Sequence, residues 1–126
     1  EVVRPRLRPL TGETVAPAAL VEYLTGLRAA LAERSALASD GCMLINAAGA
    51  RIGQDEAVRD AIAGYQRELR AAFRRGLQAT HPTLDDATAD RGSRTITALV
   101  VTALALTRAD FDAALENLDA AIDLAS

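Results

Sequence analysis

Residues Gln54–Ala79 read QDEAVRDAIAGYQRELRAAFRRGLQA. Val58, Ile62, Tyr65, Leu69, Phe73 and Leu77 follow one another by three or four residues, the step of one helical face. Asp55 and Glu56 suit the positive end of a helix dipole, and Arg74 and Arg75 suit the negative end. The stretch is therefore a long amphipathic helix, and its apolar face needs other elements to cover it.

The chain toward the N-terminus supplies such elements. Gly41–Ala50 reads GCMLINAAGA and is closed by Arg51-Ile52-Gly53. Its length alone allows a buried strand; its Ala-rich end and its neighbours favour a short buried helix. Before it, Leu20, Leu24, Leu27 and Leu31 share a face of a helix expected over Pro17–Ser39, with proline in its first turn and Asp40-Gly41 as its break. Pro5 and Pro9 interrupt Val2–Leu10, which reads as the tail of an incoming helix or a linker, and Thr11–Thr14 reads as a turn.

The chain toward the C-terminus supplies two more. Thr80–Thr83, with His81 and Pro82, is a loop. A helix is expected from Leu84 or Asp85 to about Arg108. Its second half, with Ile96, Leu99, Val100, Val101, Ala103, Leu104 and Leu106, is apolar on nearly all sides, which calls for burial on more than one face. A last helix begins near Asp110. There Phe111, Leu115, Leu118, Ile122 and Ala125 form a heptad seam, flanked by Ala114 and Ala121. The expected fold is all-α, with about five helices.

Composition agrees. The 126 residues suit one domain, and half are hydrophobic, mostly Ala, Leu, Val and Ile, with few aromatics. A net charge of −3 argues against nucleic-acid binding by bulk electrostatics. A single cysteine, Cys42, allows no internal disulfide; with no visible signal peptide this points to the cytoplasm. The longest apolar run, Ile96–Leu106, falls short of the roughly 20 residues of a membrane span. The start at Glu1, without Met, reads as a fragment of a longer chain.

Motifs of catalysis are nearly absent. The one histidine precedes a proline, no His, Cys or carboxylate cluster has metal-ligand spacing, and neither Glu-x-x-His pairs nor glycine-rich phosphate loops occur. Cys42 lies in an apolar run without a basic neighbour and reads as an inert buried thiol. Arg4, Arg6 and Arg8 form a small basic cluster that reads as a solvated linker. No enzyme, cofactor or metal is expected. Asn46 interrupts an apolar run, so its amide needs a partner, either in a ligand cavity or in an inter-helix hydrogen bond. Tyr23, Tyr65, Gln66, Thr97 and Thr102 lie on or beside apolar faces. Each alone reads as core; together they offer the sparse polar lining of an apolar pocket.

Gly41-Cys42-Met43-Leu44-Ile45-Asn46-Ala47-Ala48 resembles a signature of the TetR (tetracycline-repressor-like) transcriptional regulators. A helix containing Glu56–Ile62, the acidic start Leu84-Asp85-Asp86, a long apolar helix and a final amphipathic helix follow in the family's order. The family's N-terminal helix-turn-helix has no counterpart here. The resemblance implies a C-terminal ligand-binding and dimerisation domain over 15–126, preceded at 1–14 by the end of a connecting helix and a linker.

It further implies a ligand cavity among Pro17–Ser39, Gly41–Ala50 and Gln54–Ala79. Tyr23, Leu27, Met43, Asn46, Ile62, Tyr65, Gln66, Leu69, Thr97 and Val101 would line it, around a small and mainly apolar ligand. The last two helices would pair with their copies as a four-helix homodimer interface, through Leu99, Ala103, Phe111, Ala114, Leu115, Leu118, Ala121 and Ile122. Ligand binding would control DNA binding by the missing domain in the parent protein. Two other readings stay open. One is a helical interaction module with no ligand. The other is a small helical enzyme that holds an anionic substrate with arginines, although Arg59, Arg67, Arg70 and Arg74 fall mostly on the polar side of their helix.

Overall fold

A computed structural model of the chain describes residues 7–33, 56–107 and 109–126. Among them run five helices and no strand: α1 (Arg8–Thr11), α2 (Ala19–Ala32), α3 (Glu56–Thr80), α4 (Asp86–Leu106) and α5 (Phe111–Ala125). The expected helix over Gly41–Ala50 lies outside the described residues, as does 34–39 at the end of the expected Pro17–Ser39.

Side-chain caps fix the starts of α4 and α5. Asp85 is the N-cap of α4 and its carboxylate accepts from the Thr88 N–H at 2.7 Å. Asp110 does the same for α5, accepting from Ala113 N–H at 3.1 Å. Each cap satisfies a backbone donor that the helix itself cannot. Ala18, at the start of α2, makes no such bond, and α2 begins at Ala19, two residues later than expected.

Arg8–Thr11 is one helical turn. Of the two readings of Val2–Leu10, helix tail or linker, its last residues are helical, and the helix takes in Thr11, where a turn was expected. Pro9 sits in its first turn, where a missing N–H costs nothing, so the proline helps to open a turn instead of breaking one. Leu7 and Leu10 are buried on either side of it. The turn is held from α3: the Arg75 guanidinium donates to the Leu10 carbonyl at 3.1 Å, to the Glu13 carbonyl at 3.4 Å and to the Gly12 carbonyl. Thr80 Oγ1 donates to the Pro17 carbonyl at 2.7 Å and ties the next stretch to the same helix end.

Gly76 makes this docking close. A Cβ at that position would stand 2.7 Å from Leu20 Cβ and 2.9 Å from Leu10 Cδ2, so α1 and α2 rest directly on the α3 backbone. One core joins all five helices: Leu20, Leu24, Leu27 and Leu31 of α2, Tyr65, Leu69, Phe73 and Leu77 of α3, Ile96, Val100 and Leu104 of α4, Leu118 of α5, and Leu10. Helix α4 packs on both α3 and α5, and this explains its apolarity on more than one face. Arg70 pairs with Asp90 and Arg74 with Asp86, so α3 and α4 run antiparallel.

Candidate functional site

The residues expected around a ligand divide three ways. Tyr23, Leu27, Tyr65 and Leu69 come together, buried in the common core. Their neighbour Phe73 stacks obliquely on Tyr23, with ring centroids 5.5 Å apart at 52°. Gln66 is exposed, Val101 is half-buried, and Thr97 is buried with its hydroxyl donating to the Ser93 carbonyl at 2.7 Å. That bond gives Thr97 a structural partner four residues back in its own helix. Met43 and Asn46, with Cys42, lie outside the described residues, as does the Ile62 side chain.

The residues expected at a dimer interface divide too. Ala103, Ala114, Leu118 and Ala121 are fully buried within the single chain. They have no surface for a second copy to touch. Leu99, Phe111, Leu115 and Ile122 are half-buried, and Leu99, Leu115 and Ile122 pack against the core. Leu118 and Ala125 of the heptad seam are covered by the chain's own helices, and Phe111, Leu115 and Ile122 partly so, because α5 packs on α2 as well as on α4. The surface ion pair of Arg28 and Asp119, 2.5 Å apart, bridges α2 and α5 along that edge.

The outward side of the α4–α5 hairpin has a different character. On α5, Ala113, Asn117, Ala120 and Leu124 step by four, three and four residues, forming one stripe. Leu124 is 53 % exposed. On α4, Thr95, Leu99, Thr102 and Leu106 step in the same way. A groove of about 700 Å³ is lined by both Leu124 and Thr95, so one end of each stripe opens on the same groove. Leu77, His81, Leu84, Asp85, Thr88, Arg91 and Gly92 also line this groove. At Gly92 a Cβ would stand 2.9 Å from Leu77 Cδ1, so the helices approach closely at its floor. The two stripes hold no charged side chain; Arg91, one turn before Thr95, stands at their end.

Sequence reasoning did not find an arginine network on the opposite flank of α4. Asp90 receives Arg70 Nη2 at 2.8 Å and Arg94 Nε at 3.2 Å, with Arg74 Nη1 3.7 Å away. Hydrogen bonding from Arg70 holds the Asp90 carboxyl below its usual pKa, aided by the charges of Arg70, Arg94 and Arg74 and opposed by partial desolvation. The backbone N–H of Thr88 does the same for Asp85. The spacing of Arg67, Arg70 and Arg74 was the available signal for one positive stripe on α3. Arg94 comes from another helix and needed the fold.

Among the described residues no group of His, Cys, Asp and Glu could hold a metal ion, and no helix is long and apolar enough to cross a membrane. Compared with protein-family models, curated proteins and solved structures, the chain matches none. What stands is a small all-helical domain, with five helices among its described residues.

Proposed function

We propose that this chain is the regulatory, dimerising domain of a TetR-like transcriptional regulator. In this reading the two C-terminal helices pair with those of a second copy. A small molecule held among the helices N-terminal to them biases the DNA-binding domains of the parent protein. The observation that carries the reading is the chargeless outward face of the α4–α5 hairpin. Exposed helix faces normally carry charge, and this one carries Thr, Ala, Asn and Leu. Its small side chains allow a two-fold copy to approach closely, with each stripe meeting itself. The Gly41–Ala48 signature and the helix order support the same reading.

Here the interface centres on Thr95, Thr102, Ala120 and Leu124, with Leu99 and Leu106 at its base. The buried Ala103, Ala114, Leu118 and Ala121 form the layer beneath. Sedimentation at micromolar concentration tests it: a dimer is expected, and a stable monomer overturns the reading.

One observation favours a second reading, a helical interaction module without a ligand. Tyr23, Leu27, Tyr65 and Leu69 are packed as core, with Thr97 bonded within its helix. A ligand screen by thermal shift separates the two. A hit weakened by Tyr65→Phe favours the sensor, whereas a hit on the surface of α5 favours the module.

A further inference from the structure

Between α3 and α4, a groove of about 330 Å³ is lined by Ala63, Gln66, Arg67, Arg70, Arg94, Thr97 and Ala98. Three of these seven carry a positive charge and none is a carboxylate. The chain as a whole has net charge −3, so this is a local excess of the opposite sign.

Among the described residues Asp90, whose side chain is 29 % exposed, pairs with both Arg70 and Arg94. One carboxylate cannot balance two guanidinium groups, and Arg74 also lies within 3.7 Å of it. Asp86 offsets Arg74, 3.5 Å away. Arg67 adds a further cation to the groove wall. Asp60, on the same side of α3, is seven residues away, about 10 Å along the helix.

Asp90 does more than neutralise. It accepts a hydrogen bond from Arg70 of α3 and forms an ion pair with Arg94 of α4, which holds both guanidinium groups beside the groove. Each guanidinium has five N–H donors in a planar fork, so most of the donor capacity of both is left for an incoming acceptor. Such forks match the two oxygens of a carboxylate or a phosphate. Ala63 and Ala98 contribute methyl groups, Gln66 an amide, and Thr97 its methyl beside an engaged hydroxyl. A volume at the lower end of the roughly 300–1,000 Å³ range of ligand pockets suits a metabolite and excludes most of a polymer.

We infer that this groove binds a small organic anion, its carboxylate or phosphate held between the arginines of α3 and Arg94 of α4 and its short carbon body over Ala63 and Ala98. The groove belongs to one chain, so the inference stands apart from the dimer.

The test is a titration of isotope-labelled protein at low ionic strength, read by amide NMR, with butyrate, inorganic phosphate and sodium chloride as separate probes. Saturable shifts confined to Gln66–Arg70 and Arg94–Ala98 are expected with butyrate or phosphate, and the tighter of the two identifies the acidic group. Arg67→Gln with Arg94→Gln should weaken binding at least tenfold, while Asp112→Asn should leave it unchanged. Unsaturable shifts that sodium chloride reproduces overturn the inference, as do shifts that survive in the double variant or no shifts at all. Since both arginines are on the surface, the variant's melting curve verifies that it is folded.

Discussion

Helix α5 turns two stripes toward solvent, and they are unlike. Asp112, Glu116, Asp119 and Asp123 step by four, three and four residues, and all four are exposed carboxylates. Ala113, Asn117, Ala120 and Leu124 step identically one residue later, and none is charged. Between the chargeless stripe and the inner edge of the helix lie Ala114, Leu118, Ala121 and Ala125, fully buried. Same helix and same spacing, but one outer stripe is charged and the other is not. In the proposed dimer the chargeless stripe meets the second copy and the charged one stays in water.

The difference can be broken from the inside first. Leu118 supports both stripes from beneath, and its truncation empties a site fully inside the chain. Leu118→Ala should cost about 2–5 kcal/mol, as large-to-small core changes do. Denaturant unfolding measures it, and the loss should be the same at low and high protein concentration. A cost seen only at high concentration would return Leu118 to the interface.

Two glycines of α3 sharpen the contrast between covered and open helix faces. At Gly76 an added methyl meets Leu20 Cβ, which is no flexible tip, so Gly76→Ala should destabilise by about 1–3 kcal/mol despite better helix propensity. At Gly64 the same methyl meets, among the described residues, only the end of Arg67 at 3.9 Å, so Gly64→Ala should stabilise by about 0.5–1 kcal/mol. Thermal melts of the two variants should move in opposite directions.

The acidic stripe should be tolerant. Asp119 pairs with Arg28, but the two side chains are 53 % and 37 % exposed. Asp119→Ala should change stability by less than about 1 kcal/mol and leave the sedimenting mass unaltered. A shift in mass would mean that this side of α5 also meets a neighbour.

The smallest effect concerns acid. Asp85 and Asp90 both have lowered folded-state pKa values, the first through the Thr88 N–H and the second through Arg70. A depressed carboxylate stabilises the fold above its unfolded value, about 3.9, and that contribution is lost as pH falls through the folded value. Melting temperature should therefore begin to fall below about pH 4. In Asp85→Asn the fall should be shallower; an identical acid limb would assign the loss to other carboxylates.

Much of the fold was legible. Asp85 and Asp110 announce the starts of α4 and α5 because a cap is a local bond, made within three residues. For α1 the sequence left helix tail and linker both open, since the turn is held by Arg75 and Gly76, more than 60 residues further on. Periodicity found the seam of α5 but not what covers it: a period gives a face, and only packing gives its partner. The same limit hid the arginine groove, because only packing brings Arg70 of α3 to the Asp90–Arg94 pair of α4. Of the expected pocket, Tyr23, Leu27, Tyr65 and Leu69 were correctly read as apolar-face residues, and packing brings them together as core.

The most direct measurement is NMR relaxation of α5 by a soluble paramagnetic probe, with the protein at high concentration. If a second copy covers the hairpin, the methyl groups of Ala113, Ala120 and Leu124 should relax as slowly as that of the buried Ala121. The side chains of Asp112, Glu116 and Asp123 should relax fast. Equal, fast relaxation of both stripes would contradict the account and leave the chargeless face open to water.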